Sequence, residues 1–431
     1  MNVAWEDSDR DAREIYIETD DRFESEMRAR PDAFLLAAIM PAMQHHEKRI
    51  LVEGDVCPEL RNGLETAMLV FGHWYPADEL APVAIEATDG FVPSTNVISR
   101  AASFLSGGVD ALATLRSNRL DFPSDHPRYI RDCFFVHGFD IGGYIDLETN
   151  RENSETAISY LSKFAENVGA TLIPIITNIR HLDDDDVLFF RTFHGAALSS
   201  VAHSFSDRID VALIASGSGV EDLGPIGSHP LIDSNYSSSR LRIIHDGVRF
   251  NRLEKVRLIS SYPEELKTLR SCFDAFRDPG DLNCGKCEKC LRTMTELYVV
   301  GKLSECPTYP HDELTAEMLE VLVPDVRRQA GEILNRMSPD HEGQAGAAAK
   351  GQIRKLIYIS LNIANNHYWR ELLDPFRHLG RHDLADVITR KLTQYDEAEQ
   401  GNPIRRFAST IDQKYFGSRI SRIKKKFAPG T

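Results

Sequence analysis

The stretch Ser106-Gly107-Gly108-Val109-Asp110-Ala111 constrains this chain more than any other. An apolar run, Ala101 to Leu105, leads into it, and a helical pattern, Leu112 to Arg116, leads out. A short buried strand that breaks at two glycines and re-enters as a helix is half of a crossover unit, and crossovers build parallel sheets. Glycine lets the backbone approach a ligand closely, and a helix N-terminus adds positive potential, so the loop is a candidate anion site. The plainer reading of the same residues is a tight turn before a surface helix.

The pattern around that stretch agrees with a parallel sheet. From Ser99 to Cys290 apolar runs alternate with helical periodicity. The run Cys133 to Gly138 is continuously apolar up to His137, as a strand buried on both faces requires. Further strands are expected at Leu172–Asn178, Val211–Gly217 and Leu241–His245, with helices at 157–165, 194–205 and 252–260. The expected fold class is α/β, a parallel-sheet α/β/α sandwich. It is expected to carry a small N-terminal α/β domain over residues 1–95, a central domain over 96–305 and a helical C-terminal region over 306–431.

Ligands of open parallel sheets sit beyond the carboxyl ends of the strands. Those ends here repeat one chemistry: Ser106-Gly107-Gly108, His137-Gly138, Asn178, Ser216-Gly217 and His245-Asp246. The connection Gly217 to Asp233 is long, and long connections without structure of their own are commonly functional. Asn178, His194, Ser216, His229, Asp233, His245 and Asp246 are therefore the candidate substrate residues. Any one of them alone reads equally well as a polar loop residue.

Cys272, Cys284, Cys287 and Cys290 carry the strongest chemical signal, as Cys-x11-Cys-x2-Cys-x2-Cys. Two-residue spacing lets a tight turn bring thiolates onto one ion, and Gly285 eases that turn. Four sulfurs with no open position suit a structural tetrahedral zinc; an iron–sulfur cluster is the other ligand set for four thiols. Cys57, Cys133 and Cys306 read as incidental or buried.

The loop and the thiol set together resemble the PP-loop ATP pyrophosphatase superfamily, and within it the 7-cyano-7-deazaguanine synthase family of queuosine-precursor enzymes. Ser106, Gly107, Gly108 and Asp110 match that superfamily's Ser-Gly-Gly-x-Asp-Ser, with Ala111 standing where a hydroxyl is usual. The four cysteines match the family's zinc site, and Arg252 to Val256 resembles its lysine-bearing helix. The resemblance covers residues 99–300 and implies an adenine nucleotide alpha hydrolase-like fold. It implies ATP on Ser106, Gly107, Gly108, Val109 and Asp110, with Val136, His137, Arg252 and Lys255 around it, and with Asp110 and Lys255 catalytic. Magnesium would lie between the phosphates, with Asp140 and Asp246 as candidate ligands. The chemistry implied is adenylation of a carboxylate or amide with release of pyrophosphate, then nitrogen transfer. An RNA-modifying sulfur or nitrogen transferase and a non-catalytic nucleotide-binding scaffold are the alternatives. The sequence holds no Gly-x-x-x-x-Gly-Lys-[Ser/Thr] loop and no Gly-x-Ser-x-Gly elbow.

The remainder bounds the partners. With a formal charge of −15 over 431 residues, the body is a poor non-specific nucleic-acid binder. The tail contrasts with it, carrying Arg405, Arg406, Lys414, Arg419, Arg422, Lys424, Lys425 and Lys426 on an amphipathic pattern. Such a tail suits a nucleic acid, an acidic partner, an anionic membrane surface or this protein's own acidic surface. The substrate is expected to be a small molecule, a protein or a peptide, and a homo-oligomer stays open. No signal-peptide pattern or membrane-length apolar run is seen, and clustered cysteines suit a reducing compartment, so a cytoplasmic location is expected. Amphipathic helices are expected at 314–336, 353–361, 368–377 and 383–392, with a linker at 338–346. In the N-terminal part, Asp32 is expected to cap a helix, Pro58 to start another running to Trp74, and His45-His46-Glu47 to be a solvated turn.

Overall fold

The structure, a computed structural model, describes residues 1–77, 79–93, 98–139, 151–183, 188–272, 281–322 and 366–401. Asp140, the 338–346 linker, the 353–361 helix and the basic tail lie outside them. The described chain divides into two compact units. The first holds the described residues up to Cys290 together with Ser304–Pro310, and the second holds Leu291–Leu303 and the described residues from His311 onward.

The first unit is α/β and is organised on a six-stranded sheet. In chain order its strands are β1 (Asn2–Val3), β2 (Arg13–Glu14), β3 (Ile17–Thr19), β4 (Arg49–Val52), β5 (Ala84–Ala87), β6 (Ala101–Phe104), β7 (Ile130–His137), β8 (Thr171–Thr177), β9 (Val211–Ala215) and β10 (Arg242–Asp246). The central sheet runs β10-β9-β6-β7-β8-β3, parallel except for β3. β1–β2 and β4–β5 form two small separate sheets. The helices are α1 (Pro31–Gln44), α2 (Pro58–Trp74), α3 (Val109–Asp121), α4 (Arg151–Asn167), α5 (His194–Ser204) and α6 (Arg252–Ser260), with α7 (Glu288–Val299) beginning at the unit's end.

Strand residues alternate between two covered faces. Ala102, Phe104, Phe134, Ile173, Ile175, Ala212, Ile214 and Ile243 join one cluster with residues of α1 and α5. The intervening Ala101, Cys133, Phe135, Val211 and Leu213 are also buried, and α3 packs against β6, β7 and β9 while α4 packs against β7 and β8. The arrangement is compatible with an α/β/α sandwich.

The described residues before Ile98 share this core. β3 completes the central sheet by pairing with β8, and Leu35, Leu36, Leu60, Leu64 and Phe71 belong to the same cluster as the sheet's apolar face. α2 begins at Pro58 and ends at Trp74, with Leu60, Leu64, Ala67, Met68 and Phe71 buried, as its spacing predicts. Two local expectations are corrected. Asp32 does not cap α1, whose N-cap is Arg30; its carboxylate instead accepts the Cys57 N–H at 2.9 Å. The turn at His45-His46-Glu47 is not solvated at Glu47, which is buried and accepts the N–H groups of Glu6 and Asp7 at 2.9 and 2.8 Å.

The foot of the sheet is held by charge. Asp132, fully buried at the start of β7, accepts from Arg208 Nε and Nη2 at 3.0 and 2.9 Å and from Arg100 Nη2 at 2.8 Å. Removing one member of such a group strands the others, at a cost of about 3–5 kcal/mol. Asp132→Ala is therefore expected to lower the free energy of unfolding by that amount, read as a lower urea midpoint. An unchanged midpoint contradicts this account of the foot.

The second unit is helical: α8 (Ala316–Leu322), α9 (Asn366–His378) and α10 (His382–Gly401) follow α7. α9 and α10 form a hairpin around Gly380, which takes a φ of +69°. Arg381 secures it, donating to Tyr298 Oη at 2.5 Å, Leu314 O at 2.8 Å and Asp383 Oδ2 at 2.9 Å. Among the described residues, no helix is long and apolar enough to cross a membrane.

Candidate functional site: a glycine loop and a four-thiol cluster

Loop residues 105–108 leave β6 and enter α3 directly. Gly107 adopts a φ of +79°, a conformation that side-chain-bearing residues rarely take. Gly108 is the N-cap of α3, and no side chain caps the helix, so its first-turn N–H groups are available to an anion. Ser106 Oγ accepts the Gly108 N–H at 3.3 Å and narrows the turn. A Cβ on Gly107 would lie 3.3 Å from Leu161 Cδ2 and 3.4 Å from both Arg270 Cβ and Thr268 O. Gly107→Ala is expected to cost about 1–2 kcal/mol from backbone strain alone, read as a lowered thermal midpoint.

Asp110, in the first turn of α3, gathers cations. Arg252 Nη1 donates to its Oδ2 at 2.9 Å, and Lys255 Nζ donates to its Oδ1 at 3.2 Å. Burial pushes the Asp110 carboxyl up, but the Arg252 and Lys255 charges outweigh it and hold the group below the ordinary carboxylate range. Arg252 and Lys255 come from the first turn of α6, which a reciprocal capping box of Asn251 and Glu254 fixes in place. Lys255 is 1% exposed and also donates to Ser216 O, the tip of β9, at 2.5 Å. Asp246, the tip of β10, accepts from Thr114 Oγ1 on α3 at 2.8 Å, and burial raises its carboxyl above the usual range. The ends of β6, β9 and β10 thus meet on α3 and α6.

The other candidate residues divide. Val136 and His137 end β7, with His137 Nδ1 hydrogen-bonded to Ser154 Oγ on α4. A second network lies on the α1–α5 side of β10: Asp233 Oδ2 accepts from Ser228 Oγ at 2.6 Å and pairs with His245 Nδ1 at 2.8 Å. His229 packs edge-on against Trp74 at 4.9 Å and caps the short turn Pro230–Asp233, accepting the Leu231 N–H at 3.1 Å. Asn178 is committed elsewhere, donating to Glu14 O and accepting from Tyr16 N, both at 2.9 Å, so it fastens the N-terminal strands. His194 opens α5 beside the rings of Phe189 and Phe190, at 6.2 and 5.9 Å. The loop site therefore holds Ser106, Gly107, Gly108, Val109, Asp110, Ser216, Asp246, Arg252 and Lys255, joined by Thr114, which no motif singles out.

The four thiols converge. The sulfurs of Cys272, Cys284, Cys287 and Cys290 all lie within 4.8 Å of one another, with Cys272–Cys287 and Cys284–Cys290 each at 3.9 Å. None is in a disulfide. Metal–sulfur bonds of about 2.3 Å in a tetrahedron put sulfurs about 3.8 Å apart, so the spacing suits one ion such as zinc. The Cys272 and Cys287 sulfurs, then burial, push the Cys290 thiol up. Thiols this close cannot all ionise without a cation among them. Gly285, at φ +67°, makes the knuckle, and Cys284 Sγ accepts the Lys286 and Cys287 N–H groups at 3.4 and 3.3 Å. Asn283 supports the cluster from behind: its Oδ1 accepts from Ser271 N at 2.8 Å and Cys272 N at 3.2 Å, and its Nδ2 donates to Leu269 O at 2.9 Å. Among the described residues, no other group of three or more His, Cys, Asp or Glu is placed to hold a metal.

Compared with family models, curated proteins and solved structures, the chain matches none.

Proposed function

We propose that this protein is an ATP-dependent, C–N bond-forming ligase of the PP-loop kind, similar in chemistry to 7-cyano-7-deazaguanine synthase and built on an adenine nucleotide alpha hydrolase-like sandwich. The observation that carries this reading is the meeting of Arg252 and Lys255 on Asp110 beside the uncapped start of α3. Oriented N–H groups and two fixed cations are what a departing pyrophosphate needs, because they stabilise its charge without reorganising.

In this reading the triphosphate lies over Ser106 to Asp110. A substrate carboxylate or amide oxygen attacks the α-phosphorus and pyrophosphate leaves. On an adenylated carboxylate a nitrogen donor then attacks the activated carbon, and AMP and a proton leave to give the amide; an adenylated amide instead loses AMP and its N–H proton to give the nitrile. Asp246 would offer a carboxylate to magnesium, which usually takes one or two of them beside substrate phosphates and would supply further charge neutralisation. The thiol cluster would hold zinc as a structural ion, a role that closed four-sulfur sites serve. His229, Asp233 and His245 border the β10 side, where a substrate would approach. Four clustered cysteines held out of disulfides suit a reducing compartment such as the cytoplasm.

The test is product analysis by mass spectrometry, with ATP, magnesium, ammonium and a panel of carboxylates. The expected products are AMP and pyrophosphate in equal amounts with an amide or nitrile. ADP and phosphate as the products contradict the reading.

A further inference from the structure

We infer that Arg270 is a positioning residue that couples the thiol cluster to the glycine loop, so that metal occupancy and phosphate affinity rise and fall together. The inference rests on the proposal that the loop binds phosphate.

Arg270 is buried, and it holds both sites at once. Its backbone N–H donates to Gly107 O at 2.8 Å. Its Nη1 donates to Ser106 O at 3.3 Å, and its Nη2 donates to Cys272 O at 3.4 Å. Two consecutive loop carbonyls are thus bonded to the residue that stands two places before the first metal ligand. On the metal side, Leu269, Ser271 and Cys272 are all bonded to Asn283, which directly precedes Cys284. Residues 269–272 therefore form a strap with the loop bonded to one side and the cluster to the other.

The peptide unit is planar and trans, so a carbonyl and the following N–H point in opposite directions. Holding the Ser106 and Gly107 carbonyls against Arg270 turns the Gly107 and Gly108 N–H groups away from it. That is the orientation an anion over the loop requires. A metal that draws Cys272 towards Cys284, Cys287 and Cys290 fixes the strap, and the strap fixes the peptide planes. The planar guanidinium suits the task because it reaches two acceptors in a fixed geometry, which an ammonium does not. Coupling of this kind is reciprocal: the anion must raise metal affinity by the factor by which the metal raises anion affinity.

The test uses the full chain loaded with cobalt(II), whose thiolate absorption reports the geometry of the sulfur shell, and magnesium pyrophosphate as the probe. Pyrophosphate is expected to shift the cobalt–thiolate band of the wild-type protein. Arg270→Gln is expected to bind one cobalt, to lose the shift, and to bind pyrophosphate on the order of tenfold more weakly; Arg270→Lys is expected to recover little. A shift and an affinity unchanged in Arg270→Gln overturn the coupling and leave the loop proposal standing. If that variant does not fold, wild-type protein at graded cobalt occupancy decides: pyrophosphate affinity independent of occupancy overturns the coupling. No pyrophosphate binding by the wild type at any occupancy overturns the loop proposal and the coupling with it.

Discussion

Replacing Cys290 with serine is expected to abolish stoichiometric metal binding and to produce the largest stability loss of any single substitution in the chain. Cys290 is fully buried, and its sulfur stands 3.9 Å from that of Cys284. Closed thiolate sites contribute on the order of 10 kcal/mol of apparent folding free energy, more than the margin of many domains. Three thiolates and a hydroxyl hold zinc far less tightly, and an empty cluster leaves thiols crowded against one another with no cation among them. The effect should spread: Ser271 Oγ bonds Tyr309 Oη at 2.7 Å and Asn283 Nδ2 bonds Thr308 O at 3.1 Å, so the Ser304–Pro310 segment is tied to the same knuckle. Elemental analysis is expected to find one zinc per chain in the wild type, and thermal unfolding in chelator is expected to move the wild type towards the variant. A wild type that melts at the same temperature with and without chelator, well above Cys290→Ser, contradicts the account of the cluster.

The second large effect is expected at Asp110. Asp110→Ala should reduce formation of AMP and pyrophosphate by about 100- to 1,000-fold, the scale at which one preorganised electrostatic group acts in a catalytic site. It should also reduce stability, because Lys255 is 1% exposed and, among the described residues, would keep the Ser216 carbonyl as its one hydrogen-bond partner. A buried charged group left under-satisfied costs about 1–3 kcal/mol. The two effects separate in a double variant. Lys255→Met on top of Asp110→Ala removes the stranded charge and is expected to return most of the stability, while activity stays lost. The non-additive part of that cycle measures the pair. Activity surviving in Asp110→Ala removes the carboxylate from the chemistry.

The features read most directly from sequence are those set by local rules. α2 starts at Pro58 and α6 at Arg252 because a proline at the first turn and an Asn-x-x-Glu box are local signals. The central strands announce themselves as short apolar runs, and the thiol cluster by its spacing. What escaped is made by residues distant in sequence. Glu47 is buried because the backbones of Glu6 and Asp7, some 40 positions earlier, donate to it. Asn178 stands at a strand end as a ligand residue would, yet its amide serves Glu14 and Tyr16. Arg270 lies in no motif, and its partners at Ser106 and Gly107 are 164 positions away or nearly so. The N-terminal stretch has its own strand and helix patterns, which suggest a separate domain; nothing local tells that β3 adds to the edge of β8. Strand-end polarity likewise gathers two networks into one set, because period-two alternation sends His245 and Asp246 to opposite faces of β10.

The central claim is that a nucleotide's phosphates lie over Gly107 and Gly108, with Asp110 and its two cations beside them. It is tested most directly by amide NMR of the 15N-labelled protein titrated with magnesium pyrophosphate. The account predicts saturable shifts at the Gly107, Gly108 and Val109 amides, with the same dissociation constant at each and none in Asp110→Ala at equal concentrations. Saturable binding that leaves these three amides unmoved while others shift would contradict it.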